Sequence, residues 1–174
     1  METLRCVGRK KHHSLRNCDI NRVCLGGDSA GGNIALVLAS LVRDGLQVSL
    51  EPEPVPSVLP KICHLVLMYP TLLLPFPTKS VAESDGIMLP YWLSSWMLRG
   101  YLPGDDRKRQ HMLETDRRVC PLHSPLYGLP STTLISAELD PFRDECQLLA
   151  NELKAQNCIV AHHAFDKVPH GFGT

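Results

Sequence analysis

Residues 22–43 read RVCLGGDSAGGNIALVLASLVR, and this stretch decides the fold. Its first part, Arg22 to Gly26, is a short apolar run that ends in glycine, which is typical of a buried parallel strand. Its last part, Ala30 to Arg43, is apolar almost all round, as expected of a buried helix. The six residues from 27 to 32 therefore span the junction between a strand and a helix.

The connecting sequence matches the pattern G-x-S-x-G of a nucleophile elbow, with Gly27, Ser29 and Gly31 at its fixed positions. Such a turn crowds its own backbone, so small residues are expected two positions before and two after the serine. The turn lifts the Ser29 hydroxyl above the sheet and points the following amide, that of Ala30, at a developing oxyanion. The alternatives are a plain glycine-rich turn or a phosphate-binding loop, and the latter would carry a Lys-Ser/Thr pair that is absent.

Three further apolar runs predict strands at Ile62–Met68, Thr132–Ala137 and Cys158–Ala164. Between the last two, Pro141 to Gln156 predicts a helix, with Asp140 as its N-cap and Pro141 at its first position. This succession of strands and helices predicts an α/β fold with a parallel sheet of about four strands flanked by helices.

The domain organisation predicted from these elements is simple. Residues 1–20 are rich in basic side chains and show no sustained periodicity, which predicts an N-terminal arm. Residues 21–174 form one α/β domain. Within it, residues 71–129 lack the strand–helix rhythm and contain two helical candidates among many prolines, which predicts a helical insertion over Leu89–Tyr101 and Asp105–Arg118.

Charge and cysteine usage limit the possible partners. Lys plus Arg equals Asp plus Glu, at 18 each, so the chain as a whole offers no basic surface for nucleic acid. Seven cysteines without a CxxC pair argue against a zinc knuckle or a thioredoxin-type site, and we predict no metal and no cofactor.

Other features of the sequence indicate the cellular compartment. The first residues, METLRCVGRKKHH, lack the apolar core of a signal peptide, and no N-x-S/T acceptor occurs. The longest apolar stretch, residues 62–76, is interrupted by Pro70 and Pro75 and is too short for a transmembrane helix. We therefore predict a cytoplasmic protein with free thiols and no transmembrane segment.

A serine nucleophile needs a general base, and the base needs an orienting acid. Asp140 follows the third predicted strand and His170 follows the fourth, so both are expected at the carboxyl edge of the sheet with Ser29. The order serine, acid, histidine is that of hydrolases with a nucleophile elbow. Taken singly, Asp140 could be only a helix cap and His170 only a polar loop residue.

Other titratable residues compete for these roles. Asp144 and Glu145 lie inside the predicted helix and suit its first turn. Asp166 precedes His170 by four positions and could be an additional partner of the imidazole. Three histidines lie within predicted strands, where packing is the simpler role: His64, His162 and His163.

Several motifs together resemble one known family. They are GDSAGGN at 27–33, YP at 69–70, SPL at 124–126, LISAELDPFRDE at 134–145 and HGF at 170–172. Over roughly residues 20–172 the chain resembles the hormone-sensitive-lipase-like (GDXG) family of α/β-hydrolases. The resemblance implies a carboxylic-ester hydrolase of partial α/β-hydrolase fold, in which residues 71–129 contribute to a cap over the pocket.

The resemblance also implies residue roles. Ser29 would be the nucleophile that forms an acyl-enzyme, Asp140 the acid and His170 the base, with the Ala30 amide as an oxyanion donor. Four residues would contact substrate: Asp28, Tyr69, Trp92 and Trp96. The apolar character of the insertion favours a small uncharged ester or lipid as substrate, and the oligomeric state remains open.

The chain also departs from the family pattern. The HGGG oxyanion loop has no counterpart in the sequence, and neither do the first strands of the sheet or the closing helix. Losing one oxyanion donor typically costs about 10²–10³ in rate. We therefore expect the C-terminal portion of a hydrolase, with residues 22–26 as an open apolar sheet edge. The alternative function is a truncated, catalytically impaired or non-catalytic fragment.

Overall fold

Four parallel strands form a single sheet in a computed structural model that describes residues 19, 21–45, 60–74, 77–84 and 87–173. The strands are β1 (Val23–Asp28), β2 (Ile62–Met68), β3 (Ser131–Leu139) and β4 (Val160–Pro169), and they lie side by side in chain order. The predicted parallel α/β sheet is confirmed. The predicted N-terminal arm lies outside the described residues, apart from residue 19.

Helices connect the strands. In the described part of the chain they are α1 (Ser29–Arg43), α2 (Lys79–Glu83), α3 (Tyr91–Tyr101), α4 (Asp106–Thr115) and α5 (Arg143–Ala155). A 3₁₀ turn over Pro121–His123 precedes β3. None of these helices combines the length and the apolar character needed to cross a membrane.

The connectivity puts the two long crossover helices on the same face of the sheet. Each strand pairs with the preceding one, and right-handed crossovers that always advance in one direction leave every connection on one side. One continuous buried cluster accordingly joins Leu36 of α1, Leu65 of β2, Leu134 of β3 and Leu149 of α5. β1 forms one outer edge of the four described strands, as expected for residues 22–26.

The start of α5 differs from the prediction. The helix begins at Arg143, its N-cap is Phe142, and Asp140 lies before the first turn. Asp140 Oδ1 instead accepts a hydrogen bond from the Phe142 amide at 2.8 Å, in a short turn that follows β3. The N-cap role predicted for Asp140 is therefore wrong, because a residue that leaves a strand makes this local turn before the helix starts.

The last strand also runs further than predicted. β4 continues past Ala164 to Pro169, because β3 itself extends to Leu139, and its residues Ala137 and Leu139 pair with Phe165 and Pro169. The short helix α2 was not predicted, since five residues are too few for a helical period to show in the sequence.

The buried cluster predicts a large effect at Leu149, which is fully buried on α5. We expect Leu149→Ala to lower the free energy of unfolding by about 2–5 kcal/mol, because it removes buried methyl groups and leaves a cavity. Ile159→Ala is the control, since that side chain is 78% exposed. Urea unfolding of both variants checks the difference, and equal losses would contradict the assigned core.

Candidate active site

The turn from β1 into α1 is tightly crowded. Ser29 is the first residue of α1 and has a φ of 51°, in the left-handed region that side chains rarely adopt. A Cβ at Gly27 would lie 2.3 Å from the backbone carbon and oxygen of Gly31, so only glycine fits at position 27. A Cβ at Gly32 would lie 2.8 Å from Pro70 Cβ.

The motif predicts that the crowded position after Ser29 is Gly31, but in the structure it is Gly32. A Cβ at Gly31 would approach only Asp28 Oδ1, at 3.8 Å, which is ordinary contact. The tight position after Ser29 is therefore Gly32, because Pro70 packs directly against it.

Hydrogen bonds tie this turn to the segment that follows β2. The Thr71 amide donates to the Ser29 carbonyl at 3.3 Å. Asn33, which is buried, donates from Nδ2 to the carbonyls of Thr71 and Val119 at 3.0 and 3.1 Å. Asn33 was not predicted as a site residue, although a lone amide on a helix that is apolar almost all round is a signal for such a role.

Ser29, His170 and Asp140 form a hydrogen-bonded row. His170 Nε2 lies 2.9 Å from Ser29 Oγ, and His170 Nδ1 lies 2.8 Å from Asp140 Oδ2. A carboxylate can only accept, so Nδ1 carries the proton and Nε2 is free to accept from the serine hydroxyl. Asp140 has no exposed surface, and its other oxygen accepts from the Phe142 amide.

Aromatic rings hold the imidazole of His170 in place. The Tyr69 ring centroid lies 4.9 Å from that of His170, and Phe142 meets the imidazole edge-on at 5.2 Å. Tyr69 is fully buried behind His170 and packs against Phe172 as well. Its hydroxyl has no hydrogen-bond partner among the described residues. Tyr69 thus lies beneath the imidazole and does not line the cavity.

A cavity of about 580 Å³ opens beside Ser29 and His170. Ala30, whose amide belongs to the first turn of α1, lies in its wall, and amides of a first turn have no partner within the helix. The segments between β2 and β3 supply most of the remaining wall, which is largely apolar: Leu73, Leu74, Leu89, Leu98 and Leu113.

The two tryptophans proposed as substrate contacts face away from this cavity. Trp92 and Trp96 are each 68% exposed and are absent from its wall. The helical period puts them on one side of α3, and the opposite side reaches the cavity through Tyr91, Ser94, Ser95, Leu98 and Tyr101. Asp28 is exposed and does not line the cavity either.

Glu145 is a buried carboxyl group in the cavity wall. Its Oε2 accepts a hydrogen bond from the Leu72 amide. The pKa of Glu145 is raised to about 7, chiefly by burial; the hydrogen bond from the Leu72 amide lowers it, and the nearby Asp140 carboxylate raises it. Neighbouring Asp144 accepts from the Ser80 amide at 2.8 Å. Both acids therefore connect α5 to the segments after β2, beyond the first-turn role expected for them.

The family assignment follows from comparison with known proteins. Residues 3–174 match the family described as having the alpha/beta hydrolase fold. The chain belongs to the α/β-hydrolase family. The resemblance to its hormone-sensitive-lipase-like class is confirmed.

Similar α/β-hydrolases include carboxylesterases from bacteria and plants. The chain is 32% identical over 155 residues to carboxylesterase NlhH of Mycobacterium tuberculosis, which covers 88% of this chain and 44% of that protein. It is 30% identical over 162 residues to probable carboxylesterase 11 of Arabidopsis thaliana, covering 91% of this chain and 33% of that protein.

Solved structures of α/β-hydrolases share the fold. A thermostable carboxylesterase cloned from a metagenomic library superposes with a TM-score of 0.79 at 32% identity, covering 98% of this chain and 52% of that one. The esterase of Pyrobaculum calidifontis superposes with a TM-score of 0.77 at 28% identity, covering 98% and 51%. The chain thus spans about half of these solved structures and less than half of the curated relatives.

The crowding at the turn predicts opposite outcomes for two glycines. Gly27→Ala should destabilise the protein by about 1–3 kcal/mol, because the added Cβ overlaps the Gly31 backbone and the turn must open. Gly31→Ala should change stability by less than about 1 kcal/mol, since alanine favours helix and meets no close neighbour. Urea denaturation measures both, and a tolerated Gly27→Ala would contradict the geometry of the turn.

The raised pKa of Glu145 predicts a dependence of stability on pH. In the unfolded chain Glu145 ionises near a pKa of 4.5, whereas in the folded protein it keeps its proton up to a pKa of about 7. Its contribution to stability is therefore complete below the lower pKa and is lost as the pH rises through this window. The loss is on the order of 3 kcal/mol.

Glu145→Gln removes this titration while keeping an oxygen that can accept from Leu72. As the pH rises from 4.5 to 7, the unfolding free energy of the wild type should therefore fall relative to that of the variant. Urea unfolding over this range measures it. Parallel stability curves for the two proteins would show that Glu145 does not titrate in this way.

Proposed function

We propose that this chain carries the catalytic residues of a serine hydrolase that cleaves carboxylic esters. The observation that carries the proposal is the hydrogen-bonded row Ser29–His170–Asp140 at the wall of an apolar cavity. Two findings from the comparisons support this proposal: the chain belongs to the α/β-hydrolase family, and it is similar to proteins named as carboxylesterases.

In the acylation step, Ser29 Oγ attacks the ester carbonyl while His170 Nε2 takes its proton as general base. Asp140 keeps the imidazole in the required tautomer and stabilises its positive charge. The Ala30 amide donates to the oxyanion. His170 then gives the proton to the leaving alcohol, and the acyl group remains on Ser29 as an ester.

In the deacylation step, a water molecule attacks this acyl-enzyme. His170 Nε2 removes a proton from the water and returns it to Ser29 Oγ when the bond to the acyl group breaks. The carboxylic acid leaves, and the hydrogen bonds between Ser29, His170 and Asp140 are restored.

The proposed substrate is a small uncharged ester or lipid. The cavity wall is dominated by aliphatic side chains, and burial of Glu145 favours its neutral form. We further propose that substrate contacts come from the inner side of α3, such as Ser95 and Leu98, and that Tyr69 supports the imidazole from behind.

We propose residues 71–129 as a cap on a hydrolase domain that covers residues 21–174, with residues 1–20 as an arm. Support for the cap is the share of the cavity wall that this segment supplies. We propose a cytoplasmic location on the basis of the free thiols of the described cysteines.

The test uses the purified chain with a fluorophosphonate probe and short p-nitrophenyl esters. Labelling and hydrolysis should disappear in Ser29→Ala, because the nucleophile is lost. Asp140→Asn should lower the rate by about 10⁴, since it favours the wrong imidazole tautomer. Ser131→Ala is the matched control, because this serine at the start of β3 does not line the cavity, and the variant should keep its labelling.

The contrary outcome has a definite meaning. Folded wild-type protein that neither labels nor hydrolyses esters would favour the alternative of an impaired or non-catalytic hydrolase chain. The lack of an HGGG sequence, and hence of its oxyanion donors, is the observation that favours this alternative.

A further inference from the structure

Two exposed cysteines lie side by side, well away from the cavity. Cys24 on β1 and Cys63 at the start of β2 have their sulfur atoms 3.7 Å apart, although 39 positions separate them in the sequence. Neither residue lines the cavity, and Cys24 lies at the opposite end of β1 from Ser29. The proposed ester chemistry makes no use of this pair.

An irregularity in the sheet brings the two thiols together. The pairing of β1 with β2 shifts between Val23, which pairs with Ile62, and Cys24, which pairs with His64. Cys24 therefore faces both Cys63 and His64, the arrangement of a β-bulge, which commonly re-aims a side chain.

The spacing of the strands suits a disulfide. Neighbouring strands lie about 4.8 Å apart, and disulfides join residues whose Cα atoms are about 4.4–6.8 Å apart. Bonding would need the sulfur atoms to close from 3.7 Å to about 2.05 Å, a movement that side-chain rotation can supply.

The other described cysteines are poorly placed for exchange. Cys120 and Cys146 are buried, and burial raises the pKa of both thiols. Cys158 is half-buried, with its thiol directed at the Leu126 carbonyl at 3.0 Å. Among the described residues, Cys24 and Cys63 therefore form the accessible thiol pair.

We propose that Cys24 and Cys63 form a reversible intramolecular disulfide by exchange with a small disulfide such as oxidised glutathione. The chain thus holds a thiol-modification site that is separate from the proposed hydrolase site. In a reducing compartment a disulfide of this kind is transient and follows the redox state of its surroundings.

The exchange balances in two steps. The Cys63 thiolate attacks one sulfur of oxidised glutathione, so a mixed disulfide forms and one glutathione thiolate leaves and takes up a proton. The Cys24 thiolate then attacks the Cys63 sulfur, the mixed disulfide breaks, and the second glutathione leaves. Two protein thiols are oxidised, and one oxidised glutathione is reduced to two glutathione molecules.

The contact itself favours the second step. Cys24 lies within 3.7 Å of the Cys63 sulfur that it must attack, and the hydrogen bond between the two thiols raises the pKa of Cys24.

The experiment equilibrates the full chain with mixtures of reduced and oxidised glutathione and maps its peptides by mass spectrometry. The expected result is a linked peptide pair that contains Cys24 and Cys63. The bond should raise the melting temperature by about 5–10 °C, because it constrains the unfolded chain. Cys24→Ser should instead trap glutathione on Cys63, and the matched control Cys158→Ser should still form the link.

Other outcomes would overturn the proposal. One is that no linked peptide pair forms in oxidising mixtures, or that Cys24 and Cys63 both carry glutathione without a link between them. Another is that oxidation still raises the melting temperature of both Cys24→Ser and Cys63→Ser. Urea unfolding of the reduced variants serves as the check on folding and is independent of the proposed hydrolase activity.

Discussion

The close approach of the backbone at Gly27 to the backbone at Gly31 is the constraint on which the candidate site depends. It lets β1 end and α1 begin with no intervening loop, and it holds Ser29 at a positive φ. Ser29 is thereby fixed at the carboxyl edge of the sheet. Asp140 and His170 reach it because each directly follows a strand that ends at that same edge.

The segment after β2 supports this arrangement without supplying a member of the hydrogen-bonded row. Pro70 packs against Gly32, and the Thr71 amide bonds to the Ser29 carbonyl. The Leu72 amide bonds to buried Glu145 on α5. One short stretch of chain therefore fixes the elbow on one side and the helix after Asp140 on the other, so the distance between nucleophile and acid depends on its packing.

The sequence predicts the strands and the residues that follow them better than it predicts which side chains line the cavity. Apolar runs predicted the strands. Asp140 and His170 could be placed at the carboxyl edge of the sheet because each comes directly after a predicted strand. Both signals depend only on the local order of residues along the chain. The orientation of α3 could not be predicted in this way: its aromatic residues suggested a lining role, yet Trp92 and Trp96 lie on its outer side. Which side of a helix is buried depends on tertiary contacts when both sides carry apolar residues. The contact of Glu145 with Leu72 is long-range and has no sequence signal.

The same connectivity explains why the two sites on β1 meet different surroundings. α1 and α5 cover one face of the sheet, and the alternation of side chains along a strand turns Leu25 toward that face and Cys24 away from it. On the other face Val66 and Ile135 remain partly exposed. The exposed thiols of Cys24 and Cys63 thus lie on the less covered face of the sheet, whereas Ser29 opens into a cavity whose wall comes mostly from the segments between β2 and β3.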